Sequence, residues 1–300
     1  MPTLSINPRD ASGVSRTLGM PELLGYLRDS GLFEIKEHDD HLKVMRGERA
    51  TILYYNDKKI YLDFWEYNTP SFTGKVYREN FDLVIKLQCK NLTDDEFIRR
   101  CRKKNILGEL KNEELVEFKN KIVPWTFFPS RVMKKFSGGD IEKLPTEQVA
   151  FFCGKFWKSR HNICKSLESQ GIEIIKSQQE VRSGRPLSDP EYVRKMKTSK
   201  YGLILSGRGS MMSEAKNRRE VDYMMIKKPV LMNYKPRYYN PLEPDKHFIF
   251  IDQNTQIDKL EELYNINEIA ENGYQWYLEN SSPMGAAKTF LQIMNDRFGE

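Results

Sequence analysis

Residues 149–154 read VAFFCG, 160–171 RHNICKSLESQG, 172–177 IEIIKS, 190–200 PEYVRKMKTSK and 201–207 YGLILSG. Short runs rich in β-branched and aromatic residues alternate with stretches of helical character, the first closed by Gly171 and the second opened by Pro190. The alternation continues through EAKNRREVDYMMIKK (214–228), PVLMNY (229–234), HFIFID (247–252) and QIDKLEELY (256–264). Strands separated by helices of roughly 10 to 15 residues predict right-handed βαβ units and a parallel sheet. The second half of the chain is therefore expected to be an α/β, Rossmann-like domain.

Working outward, FSGGDIEKLP (136–145) combines two glycines, a proline and charges between two apolar runs, which suits an exposed join near Ser137 to Pro145. The half before it mixes sheet and helix. Pro21 sits at an N1-like position, followed by Leu23, Leu24 and Leu27 at helical spacing and by Gly31 as a stop. FEIKEH (33–38), LKVMRG (42–47), ATILYY (50–55) and KIYLDFW (59–65) read as strands, with Asn56-Asp57 as a turn. FDLVIKLQ (81–88) is a continuous apolar run suited to a strand covered on both faces, and Thr93 with Glu96 forms a capping box. No internal repeat or low-complexity tract interrupts the chain.

The 300 residues, 39% hydrophobic and 12% aromatic, are enough for one large core or two ordinary ones, which argues against disorder. An excess of 48 Lys+Arg over 42 Asp+Glu leaves a net charge of +6, suited to phosphate-bearing ligands but too small for a histone-like nucleic-acid binder. No run approaches the roughly 18 apolar residues of a membrane span, and MPTLSINPRDASG (1–13) lacks a secretory pattern. The expectation is a soluble, cytoplasmic protein without a membrane span. Cys89, Cys101, Cys153 and Cys164 form no C-x-x-C pair, so reduced thiols are expected rather than a disulfide scaffold or zinc site.

In an open parallel sheet, ligands bind beyond the carboxyl ends of the strands. Two loops lie at such ends. After VAFFCG come Gly154, Lys155, Lys158, Ser159 and Arg160, in which a glycine admits an oxyanion close to backbone and three cations can neutralise a diphosphate. After YGLILSG come Ser206, Gly207, Arg208, Gly209 and Ser210, small and rich in amides, though neither G-x-x-x-x-G-K-[ST] nor G-x-G-x-x-G is present. On the next helix, Arg219 and Asp222 are three apart and share a face, a cation for phosphate beside a carboxylate for ribose hydroxyls. An ordinary intrahelical ion pair has the same spacing.

Read together, these segments resemble the donor half of exostosin-like glycosyltransferases, with some likeness to CAP10-type enzymes. The first matching stretch is Phe151, Phe152, Gly154 and Lys155, then Arg160 and Ile163. The second is Ser206 and Gly207, then Arg219 with Asp222, then Pro229, Val230 and Leu231. Asp222 stands where that family has glutamate, which makes Glu220 a rival for the same role, and Lys227-Lys228 replaces a glycine-containing turn. YYNPLEPDKHFIFI (238–251) is similar to glycosyltransferases of large algal viruses, xylosyltransferases among them, and a viral origin implies the host cytoplasm.

The resemblance implies a GT-B architecture, two Rossmann-like domains facing a cleft. The acceptor would lie on residues 1–140 and the nucleotide sugar on 145–300, with an extreme C-terminal helix able to cross back to the first domain. It also implies an inverting, metal-independent sugar transfer from a UDP-sugar to a hydroxyl of a glycan, with no cofactor and no nucleic-acid partner. Gly154, Lys155, Lys158, Arg160, Ser206, Gly207, Arg208 and Arg219 would hold the diphosphate. Asp222 or Glu220 would take the ribose, and Tyr234, Tyr238 and Tyr239 would lie near the nucleobase or the transferred sugar. Inversion needs one general base. KKIYLDFWEYN (58–68) offers Asp63 first and Glu66 as the alternative, beside Trp65 and Tyr67, whose rings suit an acceptor sugar. His38-Asp39-Asp40-His41 looks metal-like, yet among charged neighbours it reads as a turn. The rival from another class is a non-catalytic RNA-binding α/β module, to which +6 charge, 15 Tyr and the KNRR cluster would also belong.

Overall fold

The computed structural model describes residues 1–8, 20–39, 50–63, 80–87, 92–103, 110–129, 133, 145–155, 160–177, 188–205 and 219–299. The chain is a mixed α/β protein with two sheets, and it divides into two compact units. The first comprises Met1–Phe127, Arg237–Asn240 and Pro283–Glu300, the second Phe128–Pro236 and Pro241–Ser282. Most of the glycine-rich stretch 136–145 lies outside the described residues.

The first unit is built on strands β1 (Thr3–Ile6), β2 (Glu34–Glu37), β3 (Ala50–Tyr55), β4 (Lys58–Asp63), β5 (Leu83–Lys86) and β6 (Ile122–Pro124). Their order is β2-β1-β3-β4-β5-β6. β3 runs antiparallel to both neighbours, β1 and β4, while β1–β2, β4–β5 and β5–β6 are parallel. Asn56 takes φ 52° in the β3–β4 hairpin, a left-handed conformation that asparagine tolerates better than most residues. Helices α1 (Met20–Asp29), α2 (Asp94–Lys103) and α3 (Asn112–Asn120) join this sheet. Thr93 caps α2 as expected: its N–H donates to Glu96 Oε2 at 3.2 Å, and the Glu96 N–H donates to Thr93 Oγ1 at 3.2 Å. One core gathers Ile52, Tyr61, Val84, Phe97, Leu115 and Phe118 between this sheet and α2–α3.

The second unit is a five-stranded, wholly parallel sheet, as the alternation predicts. It contains β7 (Gln148–Lys155), β8 (Glu173–Ser177), β9 (Ser199–Ile204), β10 (Val230–Met232) and β11 (Ile249–Phe250) in the order β11-β10-β9-β7-β8. Helices α4 (His161–Ser169), α5 (Asp189–Thr198) and α6 (Arg219–Met225) alternate with these strands. α5 begins at Ser188, whose Oγ accepts from the Glu191 N–H while its own N–H donates to Glu191 Oε2. Gly171, φ 77°, ends α4 in the left-handed conformation that a residue with a Cβ resists. QIDKLEELY is a 3-10 turn (Ile257–Lys259) running into a four-residue helix α7 (Leu260–Leu263), shorter than its pattern suggests. Two long helices complete the chain, α8 (Ile266–Asn280) and α9 (Pro283–Phe298); α9 belongs to the first unit.

α6 lies very close to the sheet. A Cβ on Gly202 of β9 would stand 2.4 Å from Tyr223 Cγ, so only glycine admits that ring. In the first unit, Trp125 Nε1 donates to the Ala286 carbonyl of α9 at 3.2 Å, and Phe290 packs against both Trp125 and Phe33.

Candidate functional site

The parallel sheet of the second unit brings the ends of β7, β9 and β10 side by side, since β9 lies between the other two. The sequence then sets which residues stand beyond each end. After β7 the chain reaches Arg160 just before α4; after β9 it reaches Leu205; after β10 it reaches Tyr234. Arg160 is 6% exposed, and its Nη2 donates to the Leu205 carbonyl at 2.7 Å. Its guanidinium also lies 5.0 Å from the centre of the Phe152 ring. This side chain is thus anchored at the carboxyl edge by one hydrogen bond and one aromatic face.

Arg219, the first residue of α6, stands over the same ring at 5.7 Å and over Tyr192 at 5.9 Å. Two guanidinium groups over one phenyl ring repel each other, and burial deprives Arg160 of solvent that would screen the repulsion. Burial first and then the Arg219 charge hold the Arg160 pKa down at about 10. An anion placed between two such cations would relieve both the repulsion and the desolvation.

Beside the two arginines is a buried acid–phenol pair. Glu220 is 0% exposed, and Tyr234 O–H donates to its Oε2 at 3.2 Å. Burial, followed by the Glu220 charge, pushes the Tyr234 phenol well above its ordinary range, while Arg219 and Arg160 pull the other way. The Tyr234 phenol thus senses the other three groups. Asp222 is buried too, but two residues along a helix is a rotation of about 200°, which puts it across α6 from Glu220. Its charge is felt by Tyr277 of α8, whose phenol is raised to about 12, chiefly by burial.

Of the residues singled out from the sequence, Arg160, Arg219, Glu220 and Tyr234 come together at this edge. Gly154 and Lys155 end β7 in backbone, with their side chains outside the description. Lys158, Ser206, Gly207 and Arg208 lie outside the described residues, as do Glu66, Trp65 and Tyr67. Tyr239 donates to Asp296 of α9 within the first unit.

Asp63 ends β4 and is fully buried. Lys86 Nζ of β5 donates to its Oδ2 at 2.9 Å, and that lysine is buried completely as well. The parallel register pairs Asp63 with Lys86 directly. A carboxylate with no exposure and a cationic partner is equipped to hold two strand ends together. Lys86 escaped sequence reasoning although a signal was present: a lysine inside a run covered on both faces must find a counter-charge. Among the described residues no group of three or more His, Cys, Asp and Glu side chains could hold a metal ion, and no helix is long and apolar enough to cross a membrane. Asp40 and His41, half of the metal-like tetrad, lie outside the described residues.

No protein-family model matches the chain, and no curated protein matches it. Among solved structures it is similar to the crystal structure of TarM, with a TM-score of 0.40 and 12% identity over 75% of this chain and 45% of that one. The chain thus spans less than half the length of that protein, and a likeness of this size fixes neither fold nor chemistry.

Proposed function

We propose that the chain is a glycosyltransferase that moves a sugar from a nucleotide diphosphate donor to a hydroxyl of a glycan. The observation that carries this reading is the pair of guanidiniums, Arg160 and Arg219, over the Phe152 ring at the carboxyl edge of a parallel sheet. Opposite an anion, they would bind a diphosphate and stabilise the charge that grows on it as the sugar leaves. Lys155 and Lys158 would add to that charge, with Gly154, Ser206, Gly207 and Arg208 supplying loop contacts. Asp222 is the ribose candidate that the sequence resemblance names. UDP as nucleotide, xylose as sugar, inversion at the anomeric carbon and independence of metal rest on that same resemblance, since basic side chains can do a metal's work on a leaving diphosphate.

An inverting transfer needs a base for the acceptor hydroxyl. Asp63 is engaged by Lys86, so Glu66, the alternative from the sequence, is taken for that role, with Trp65 and Tyr67 against the acceptor. The test is calorimetric titration of the chain with UDP in the presence of chelator, then UDP-xylose turnover on a glycan acceptor. Saturation at one equivalent that is lost in R219A and unaffected by chelator supports the proposal. Wild-type chain that binds no UDP, with or without magnesium, overturns it.

A further inference from the structure

The buried Glu220–Tyr234 pair has the residue types of a nucleoside-binding site, yet its geometry points elsewhere. Both side chains are almost wholly withdrawn from solvent, at 0% and 2% exposure, and the phenol donates to the carboxylate rather than outward. Glu220 immediately follows Arg219 on α6, and Tyr234 follows β10. β10 is the neighbour of β9, whose end supplies the Leu205 carbonyl that fixes Arg160. Glu220 therefore shares a helix with Arg219, and Tyr234 follows the strand next to the one whose end fixes Arg160.

We propose that Glu220 and Tyr234 are positioning residues for the Arg160–Arg219 anion site and contact neither ribose nor base. A buried carboxylate beside the two guanidiniums lowers the repulsion between them, so that the group stays assembled while empty. The Tyr234 hydroxyl holds the Glu220 carboxylate at one end and satisfies part of its hydrogen-bonding need. In this arrangement the pair acts on every diphosphate equally, whatever is attached to it.

This inference rests on the anion-site reading above, and the test separates the two. The full-length chain and its Y234F and E220Q variants are titrated with inorganic pyrophosphate and with UDP, and their thermal unfolding is followed in parallel. Positioning predicts that each variant changes affinity for both probes by the same factor, with Y234F, which alters no charge, lowering it on the order of tenfold, as when the partner that orients a binding group is removed. Y234F removes one oxygen and keeps the buried ring, so it reports on the site even where E220Q lowers stability. Loss confined to UDP makes the pair a nucleoside contact and overturns the proposal, as does unchanged affinity for both probes in Y234F. Wild-type chain that binds neither probe overturns the anion-site reading, and this inference with it.

Discussion

Asp63 and Lys86 face each other in register on adjacent parallel strands and form an ion pair from which water is wholly excluded. Removing one partner strands the other charge. D63N and K86M are each expected to destabilise the chain by about 3–5 kcal/mol in chemical denaturation, whereas the apolar double variant D63L/K86L recovers most of the loss. E66Q, by contrast, should leave the denaturation midpoint unchanged and lower turnover about 10²- to 10⁴-fold. D63N that unfolds normally but no longer transfers sugar would return the base to Asp63.

Arg219 and Arg160 both stand against the Phe152 ring, so function and stability should part company there. R219M removes the charge that, after burial, most depresses Arg160, and its thermal midpoint should rise. Turnover should fall about 10²- to 10³-fold, the loss seen when one donor to a developing anion is deleted. A parallel fall in midpoint and turnover would mark Arg219 as structural.

Gly202 has no room for a methyl group under the Tyr223 ring. G202A is expected to cost about 1–3 kcal/mol through overpacking, measured by urea unfolding. In a Y223A background the same substitution should cost less, since the atoms the new methyl meets are gone. Equal stability of G202A and wild type would show that α6 shifts freely on the sheet.

His247 is buried, and its Nδ1 accepts the Glu243 N–H at 2.9 Å, a role open only to the uncharged ring. Burial first and then the Lys246 charge lower its pKa below 6.5. The folded chain therefore binds fewer protons than the unfolded one as pH falls below 6.5, so the stability from the neutral ring is full above that value and is lost on acidification. H247N keeps an acceptor without titrating, and its unfolding midpoint should depend less on pH between 7 and 5 than that of wild type.

The sequence is most legible where one signal repeats. From VAFFCG onward, β-branched strands alternate with capped helices, and the parallel second sheet follows from that pattern. Thr93 with Glu96, and Gly31 and Gly171 in left-handed conformation, mark helix boundaries by local chemistry alone. β1 is not legible, because TLSI is too short for a periodic signal and its parallel partner β2 lies far along the chain. At the site, the basic residues before α4 and on α6 stand out in the sequence, but not which of them share a ring. That depends on strand order, since Phe152 and Leu205 adjoin only because β7 and β9 do. Glu220 and Asp222 are rivals in sequence; the helical rotation between them separates the carboxylate that bonds Tyr234 from the one that Tyr277 senses.

Because α9 and residues 237–240 belong to the unit that begins at Met1, the middle of the chain is an insertion into the unit at its two ends. During synthesis the first 127 residues would leave the ribosome with the indole N–H of Trp125 and the ring of Phe33 still waiting for Ala286 and Phe290. The inserted unit is all translated before those partners emerge and can settle first. Neither unit can be cut out as a single contiguous fragment, and a chain that stops after Ser282 would carry one finished unit tethered to an uncovered hydrophobic surface.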